Sequence, residues 1–229
     1  MVRSGLTMNQ RLQTKRRLLA ALIAGVAVSA LGGAIADVNS PSDLSSVGCQ
    51  VRETGLGDLV ADAVGAEAGA PIALVPAGSL REITIPKGNV KAEDVLKCLQ
   101  YPDDRIAVIE LTGAQLIAVL ERSVSIHPQK NLGFLQVSGI ELKFDPKSPK
   151  GSRLISVTVG GEKVANERKY RIGTTKPLAD GAYGYFTVWG KGLKPEIRDK
   201  TTAQVVTKFL SGRTSVDYQK PNRILTKEK

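Results

Sequence analysis

The chain has 229 residues, 32 Lys and Arg against 22 Asp and Glu, a formal net charge of +10, two cysteines and one histidine. Two cysteines and one histidine are too few to build a zinc-type centre from nitrogen and sulfur ligands. The basic residues form no stripe interleaved with aromatics, so the charge does not call for nucleic acid as a partner.

Arg11, Lys15, Arg16 and Arg17 precede an uncharged run from Leu18 to Ala36 that closes on Ala34-Ile35-Ala36. A basic start, an apolar middle and an Ala-x-Ala exit predict a cleaved secretory signal over residues 1–36, hence a periplasmic or secreted protein. The alternative is an uncleaved anchor, because the run approaches bilayer length. Three glycines, many alanines and the triplet favour cleavage, with no stable membrane insertion afterwards. No cysteine sits at the exit, which speaks against a lipid anchor. The leader holds five basic residues and no acidic one, so about 193 residues at about +5 remain. That is enough for one domain with a full core. The remaining charge suits a small anionic ligand or an acidic envelope surface.

Residues 37–50 read as a polar lead-in, residues 51–226 as the domain, and residues 227–229 as a basic tail. Leu56, Leu59, Val60 and Ala63 recur at helical spacing, and Gly69-Ala70-Pro71 stops that helix. Ile72 to Val75 is a continuous apolar run, the mark of a strand buried on both faces. Val90 to Leu99 reads as a helix with Ala92, Val95, Leu96 and Leu99 inward. Ile106 to Leu111 reads as a strand, and Thr112-Gly113 leads into a helix with Leu116, Ile117, Leu120 and Val124 on one side. Leu135 to Phe144 alternates apolar and polar as one half-buried strand, and Leu154 to Val159 alternates before the hairpin pair Gly160-Gly161. Lys169 to Thr175 is a further strand. Thr201 to Leu210 is a threonine-capped helix with Ala203, Val206, Phe209 and Leu210 inward, and Arg223 to Leu225 is a closing strand. The alternation predicts a single mixed α/β domain with helices covering β-sheets.

Catalytic patterns are scarce. The chain has no Gly-x-Ser-x-Gly elbow and no glycine run ending in Gly-Lys-Ser/Thr, and Ser79 has no adjacent base. His127, the lone histidine, follows a helix in Ser125-Ile126-His127-Pro128 and reads as a surface or capping residue. Asp103-Asp104 is a turn pair that more often faces solvent than performs acid–base work.

Several segments, taken in order, carry a resemblance. They are Glu53-Thr54-Gly55-Leu56-Gly57-Asp58-Leu59-Val60-Ala61-Asp62-Ala63, Ala77-Gly78-Ser79-Leu80-Arg81, Leu111-Thr112-Gly113-Ala114-Gln115-Leu116 and Asp180-Gly181-Ala182-Tyr183-Gly184-Tyr185. This series resembles the C-terminal, substrate-recognising domain of the 5′-nucleotidase family. In that family a metallophosphoesterase domain with two metal ions precedes it, and the metal pair activates water and clamps the phosphoryl oxygens. No such domain precedes it here, so no catalytic residue, metal ligand or cofactor is expected in this chain.

The resemblance implies the site residues. The family's Gly-Gly-Gly-Ile-Arg turn is matched by Gly78, Ser79 and Arg81, which keep the arginine and one of three glycines. Its guanidinium fork suits phosphate or carboxylate. The alternative role for Arg81 is a salt bridge to Asp103 or Asp104. The family clamps the base between two aromatic rings, one from Pro-Phe-Gly-Asn. Here Tyr101-Pro102-Asp103-Asp104 stands there, with Tyr101 one position off and Asp104 in place of the asparagine. The second ring is replaced by Pro177, and the glycine-rich loop places Tyr183 after Gly181 where the family has aspartate. Stacking is worth about 1–3 kcal/mol per base, so loss of both rings costs about 2–6 kcal/mol, or one and a half to four decades in affinity. Tyr101 and Tyr183 are the residues that could rebuild a platform. In the family the segments holding Cys49 and Cys98 converge, and export favours a disulfide between them, with two separate buried thiols as the alternative.

These readings imply an exported binding or accessory module related to nucleotide catabolism, holding a nucleotide-like or other small anionic ligand in a closed polar pocket. An alternative is a nucleotide-hydrolysing assembly completed by a separate metallophosphoesterase chain, with an apolar docking surface near Arg81. A second alternative is an envelope structural protein whose cleft has decayed.

Overall fold

A computed structural model of the chain describes residues 37–189, 192–219 and 222–227. The signal segment expected over residues 1–36 lies outside the described residues. Among the described residues no helix is long and apolar enough to cross a membrane.

Residues 37–50 are built into the fold rather than leading up to it. Val38–Ser40 (β1) pairs antiparallel with Gly88–Val90 (β5), and Leu44–Ser45 (β2) pairs antiparallel with Thr84–Ile85 (β4). The cause is burial, since Val38, Leu44 and Cys49 are enclosed in the core.

The central sheet has five strands, in the order Glu196–Thr201 (β12), Arg105–Thr112 (β6), Lys169–Thr175 (β11), Ile72–Pro76 (β3) and Leu135–Ser138 (β7). β11 and β3 run parallel, and the other neighbours run antiparallel. Every residue of β3 is buried, as its unbroken apolar run requires. Gly55–Ala68 (α1) packs on β3, β7 and β11. It starts where the Thr54 hydroxyl accepts the Gly57 N–H and ends at Gly69 in the left-handed conformation. Gly113–Val124 (α3) begins with a reciprocal capping box between Thr112 and Gln115. Thr202–Ser211 (α5) repeats the device with Thr201 and Gln204 and packs on α1. Two short helices, Ala92–Leu96 (α2) and Lys176–Ala179 (α4), complete the helical layer. Helices covering β-sheets make this the mixed α/β domain expected.

Two segments depart from the expected pattern. The helix expected over Val90 to Leu99 is confined to α2, because Val90 belongs to β5 and pairs with Val38. The alternating run from Leu135 to Phe144 is two strands, β7 in the central sheet and Ile140–Phe144 (β8) in a second sheet. The break is Gly139, at φ 71°, where a Cβ would fall 1.8 Å from the Pro71 carbonyl oxygen. Only glycine permits both that backbone and that approach. The second sheet runs Glu162–Lys163 (β10), Leu154–Val159 (β9), β8 and Ile224–Thr226 (β13). Gly160 and Gly161 both have positive φ in the β9–β10 turn, as a two-residue hairpin of this kind demands. β13 lies parallel to β8, so the end of the chain closes this sheet.

Candidate functional site

At the end of β3 the chain makes a single 3-10 turn over Ala77–Ser79, fully buried, before Leu80 and Arg81. Two bonds hang it on the segment leading into β7: Ala77 N–H donates to Phe134 O at 2.7 Å and Gly78 N–H to Leu132 O at 2.8 Å. On its other side it runs antiparallel to Cys98–Tyr101. Leu80 is paired with Leu99, Arg81 N–H donates to Cys98 O at 2.7 Å, and Gln100 N–H donates to Ser79 O at 2.9 Å. The pairing places the arginine loop beside Tyr101, although the two are far apart along the chain.

The glycine-rich turn supplies the third side. After α4, Gly181 takes φ 97° and Tyr183 takes φ 55°, the single described non-glycine residue in the left-handed region. Such a conformation costs a side-chain-bearing residue about 1–2 kcal/mol. Arg122 of α3 holds it by donating Nη2 to the Tyr183 carbonyl at 2.7 Å. The Tyr183 ring is thereby laid over Gly78: a Cβ there would fall 2.5 Å from Cε1, Cζ and Oη of the ring. At that distance the position takes a residue without a Cβ unless the ring shifts.

The electrostatics agree with the geometry. Burial pushes the Tyr183 phenol above its ordinary range, and the nearby Tyr101 and Asp104 push the same way, while the Ser79 hydroxyl opposes them. Burial, then Asp103, raises the Asp104 carboxyl. Gly78, Ser79, Tyr101 and Asp104 are therefore placed near Tyr183, and Gly181 lies two residues before it in the same turn. Arg81 stands at its rim. Its Nε donates to Gln100 Oε1 at 3.0 Å, and it makes no ion pair with any described carboxylate. The salt bridge to Asp103 or Asp104 offered as an alternative is absent from the described contacts.

The face is open. Tyr101 is 50% exposed and Arg81 is exposed, so the two do not line a closed pocket. Phe186, 70% exposed, follows the glycine-rich turn, and Leu132, 51% exposed, supplies the carbonyl that holds Gly78. Sequence reasoning missed Phe186, Leu132 and Gln100. An aromatic directly after the turn was the available signal for Phe186; for the other two there was none. Pro177, in the place of the second ring, lies in the first turn of α4 and is half-buried. Tyr185 is fully enclosed, donating to Gly133 O at 2.6 Å and stacked on Trp189, so it belongs to the core.

The expected disulfide is not formed: Cys49 and Cys98 are both free and buried. Cys49 Sγ is directed at the Ala77 carbonyl, 3.9 Å away. Burial raises the Cys49 thiol to about 11, and burial followed by the charge of Cys49 raises Cys98 to about 12. Both stay protonated near neutrality and act as small apolar fillers beneath the loop. His127 sits edge-on to the Phe144 ring at 5.0 Å, and burial, then Arg153, lowers its pKa. Among the described residues no group of three or more His, Cys, Asp or Glu side chains is placed to hold a metal ion.

Gly78→Ala tests the close approach. The added methyl has to displace the Tyr183 ring, and overpacking of this kind costs about 1–3 kcal/mol. Thermal unfolding should show the loss. A Gly78→Ala protein as stable as the parent would mean that the ring does not rest there.

The fold and this loop cluster define a mixed α/β domain in which an arginine-bearing turn meets a glycine-rich turn on an open face. The family model described as "5′-nucleotidase, C-terminal domain" matches residues 30–190, and the chain belongs to that family. It is 32% identical over 145 residues to the trifunctional nucleotide phosphoesterase protein YfkN of Bacillus subtilis, covering 59% of this chain and 10% of that protein. It is 28% identical over 156 residues to an apyrase of Aedes albopictus, covering 62% of this chain and 27% of the relative. Among solved structures, a 5′-nucleotidase precursor from Thermus thermophilus superposes with a TM-score of 0.76 at 25% identity, over 96% of this chain and 43% of that one. The NAD nucleotidase of Haemophilus influenzae, at 16% identity and a TM-score of 0.71, shares the fold over 96% of this chain and 41% of its own. The chain thus spans about a tenth to a third of the curated relatives it matches, and under half of these solved chains.

Proposed function

We propose that this domain is an exported recognition module for a small anionic, nucleotide-like ligand, related to nucleotide catabolism. Arg81 takes the anionic group, and Tyr101 offers an exposed ring beside the Ser79–Tyr183 pair. The observation that carries this reading is Arg81 itself: an exposed guanidinium, uncommitted to any described carboxylate, on the loop that also bears Gly78 and Ser79. Phosphoryl chemistry, in this reading, is completed by a metallophosphoesterase surface that covers the open face. The exposed Tyr101, Leu132 and Phe186 support a covering surface over a self-contained pocket. The names of the relatives, a nucleotide phosphoesterase and an apyrase among them, support the ligand class. The basic start, apolar run and Ala34-Ile35-Ala36 support export.

The test is thermal unfolding of the purified chain with AMP and, separately, adenosine. AMP should raise the midpoint more than adenosine, because the phosphate engages Arg81. Arg81→Ala should weaken AMP binding about tenfold or more, the value of a charge-assisted hydrogen bond. Equal shifts by AMP and adenosine, or an unaffected Arg81→Ala protein, would refute the role of Arg81. Homogeneous chain with divalent metal should release no phosphate from AMP by itself. Robust turnover would overturn the need for a covering catalytic surface.

A further inference from the structure

A cavity of about 470 Å³ opens on the outer face of α3, and its walls include none of Gly78, Ser79, Arg81 or Tyr101. Sequence periodicity places Ile117 on the inward side of α3 with Leu116 and Leu120. In the structure it is only half-buried and lines this cavity, together with Ala118 and, from beyond the glycine-rich turn, Val188. Glu121 and Arg122, one turn further along the same face, and Lys150 of the β8–β9 connection supply the polar wall.

The charges there are unequally committed. Glu121 accepts the Leu154 N–H at 2.7 Å through Oε1, while its Oε2 is buried without a hydrogen-bond partner among the described residues. Arg122 gives Nη2 to the Tyr183 carbonyl, and its Nε is buried without a hydrogen-bond partner. Neither Arg122 nor Lys150 has an ion-pair partner among the described residues. An apolar floor beneath two cations without a described ion pair, set against one carboxylate, is the chemistry that takes an amphipathic anion. The volume lies in the range of about 300–1,000 Å³ usual for small-molecule sites.

We propose that this cavity is a second binding site, for a small amphipathic anion whose apolar body rests on Ile117, Ala118 and Val188. Its acidic group lies between Arg122 and Lys150. The proposal is independent of the Arg81 face and of the ligand bound there. Arg122 is nevertheless common to both places, since the guanidinium that faces the anion also fixes the Tyr183 carbonyl.

The molecule contains its own reporter. Trp189, the single tryptophan, follows Val188 directly and is buried against Tyr185. The probe is 8-anilinonaphthalene-1-sulfonate, titrated into the folded chain while Trp189 emission is followed. The expected result is saturable quenching of Trp189 by energy transfer, at one probe per chain. The neutral N-phenyl-1-naphthylamine should bind about tenfold more weakly or not at all. Ala118→Phe, at an exposed position, should fill the cavity and abolish quenching, and Lys150→Ala should weaken it about tenfold. Arg81→Ala should leave it unchanged. Three results would overturn the proposal: no saturable quenching, quenching that survives Ala118→Phe in a protein that unfolds like the parent, or loss of quenching in Arg81→Ala. Equal affinity for the neutral probe, or no effect of Lys150→Ala, would overturn the anionic class.

Discussion

Arg223→Ala should cost the domain about 2–4 kcal/mol, somewhat less than removal of one partner from a fully buried ion pair, because both side chains here keep about a fifth of their surface exposed. Arg223 grips Asp62 with both nitrogens, Nη1 to Oδ1 at 2.8 Å and Nη2 to Oδ2 at 2.9 Å, and Nη1 also donates to the Val137 carbonyl. Tyr218 donates its hydroxyl to the same carboxylate at 2.9 Å. The Glu53 carboxylate receives the backbone N–H groups of Asn222, Arg223 and Ile224. Together these contacts moor the last strand, β13, to the start of α1. Removing the guanidinium leaves the Asp62 carboxylate without the cation that offsets its burial. Urea unfolding would measure the loss, and Tyr218→Phe, which deletes one hydrogen bond, should cost only about 1 kcal/mol. An Arg223→Ala protein within about 1 kcal/mol of the parent would mean that the Glu53 contacts and the pairing with β8 hold β13 without the guanidinium.

Asp58→Asn should make the protein more stable in alkaline buffer. Asp58 is buried in α1, and its carboxyl is raised to about 9, first by burial, then by its hydrogen bond to Glu53, against the pull of Arg223. The folded state therefore keeps a proton that the unfolded chain releases near pH 4. Stability from this group is fully present below that point and declines as pH rises toward about 9, by at most about 1.4 kcal/mol per pH unit. Asparagine keeps the shape, donates to Glu53 without ionising, and removes the decline. Denaturation at pH 5 and pH 8.5 should show a variant advantage that grows by about 2–4 kcal/mol between the two. A difference independent of pH would show that Asp58 is ionised in the folded protein.

The candidate site was legible in part. The order of motifs marks Gly78, Ser79, Arg81, Tyr101, Asp104, Gly181 and Tyr183 as candidates, and the fold places Gly78, Ser79, Tyr101 and Asp104 near Tyr183, with Arg81 at the edge. The expected closed pocket is an open face, since enclosure depends on which surfaces meet and leaves no mark on any one segment. The expected disulfide failed for a related reason. Two cysteines in an oxidising compartment favour pairing, but Cys49 is aimed at a carbonyl and packing satisfies both thiols.

What the chain determines locally is plain from Thr54, Thr112, Thr201 and Gly69: caps and stops act over three or four residues, so helix ends can be read from neighbours alone. Apolar runs such as Ile72 to Val75 likewise announce a doubly covered strand. Tertiary structure alone decided that Leu135 to Phe144 breaks at Gly139 to serve two sheets, because the obstacle is the Pro71 carbonyl, far away in sequence. It also decided that Tyr183 lies over Gly78 and that Glu53 and Asp62 hold the far end of the chain. Those contacts join residues more than a hundred positions apart, and a pattern with a period of two or four residues carries no information about such partners.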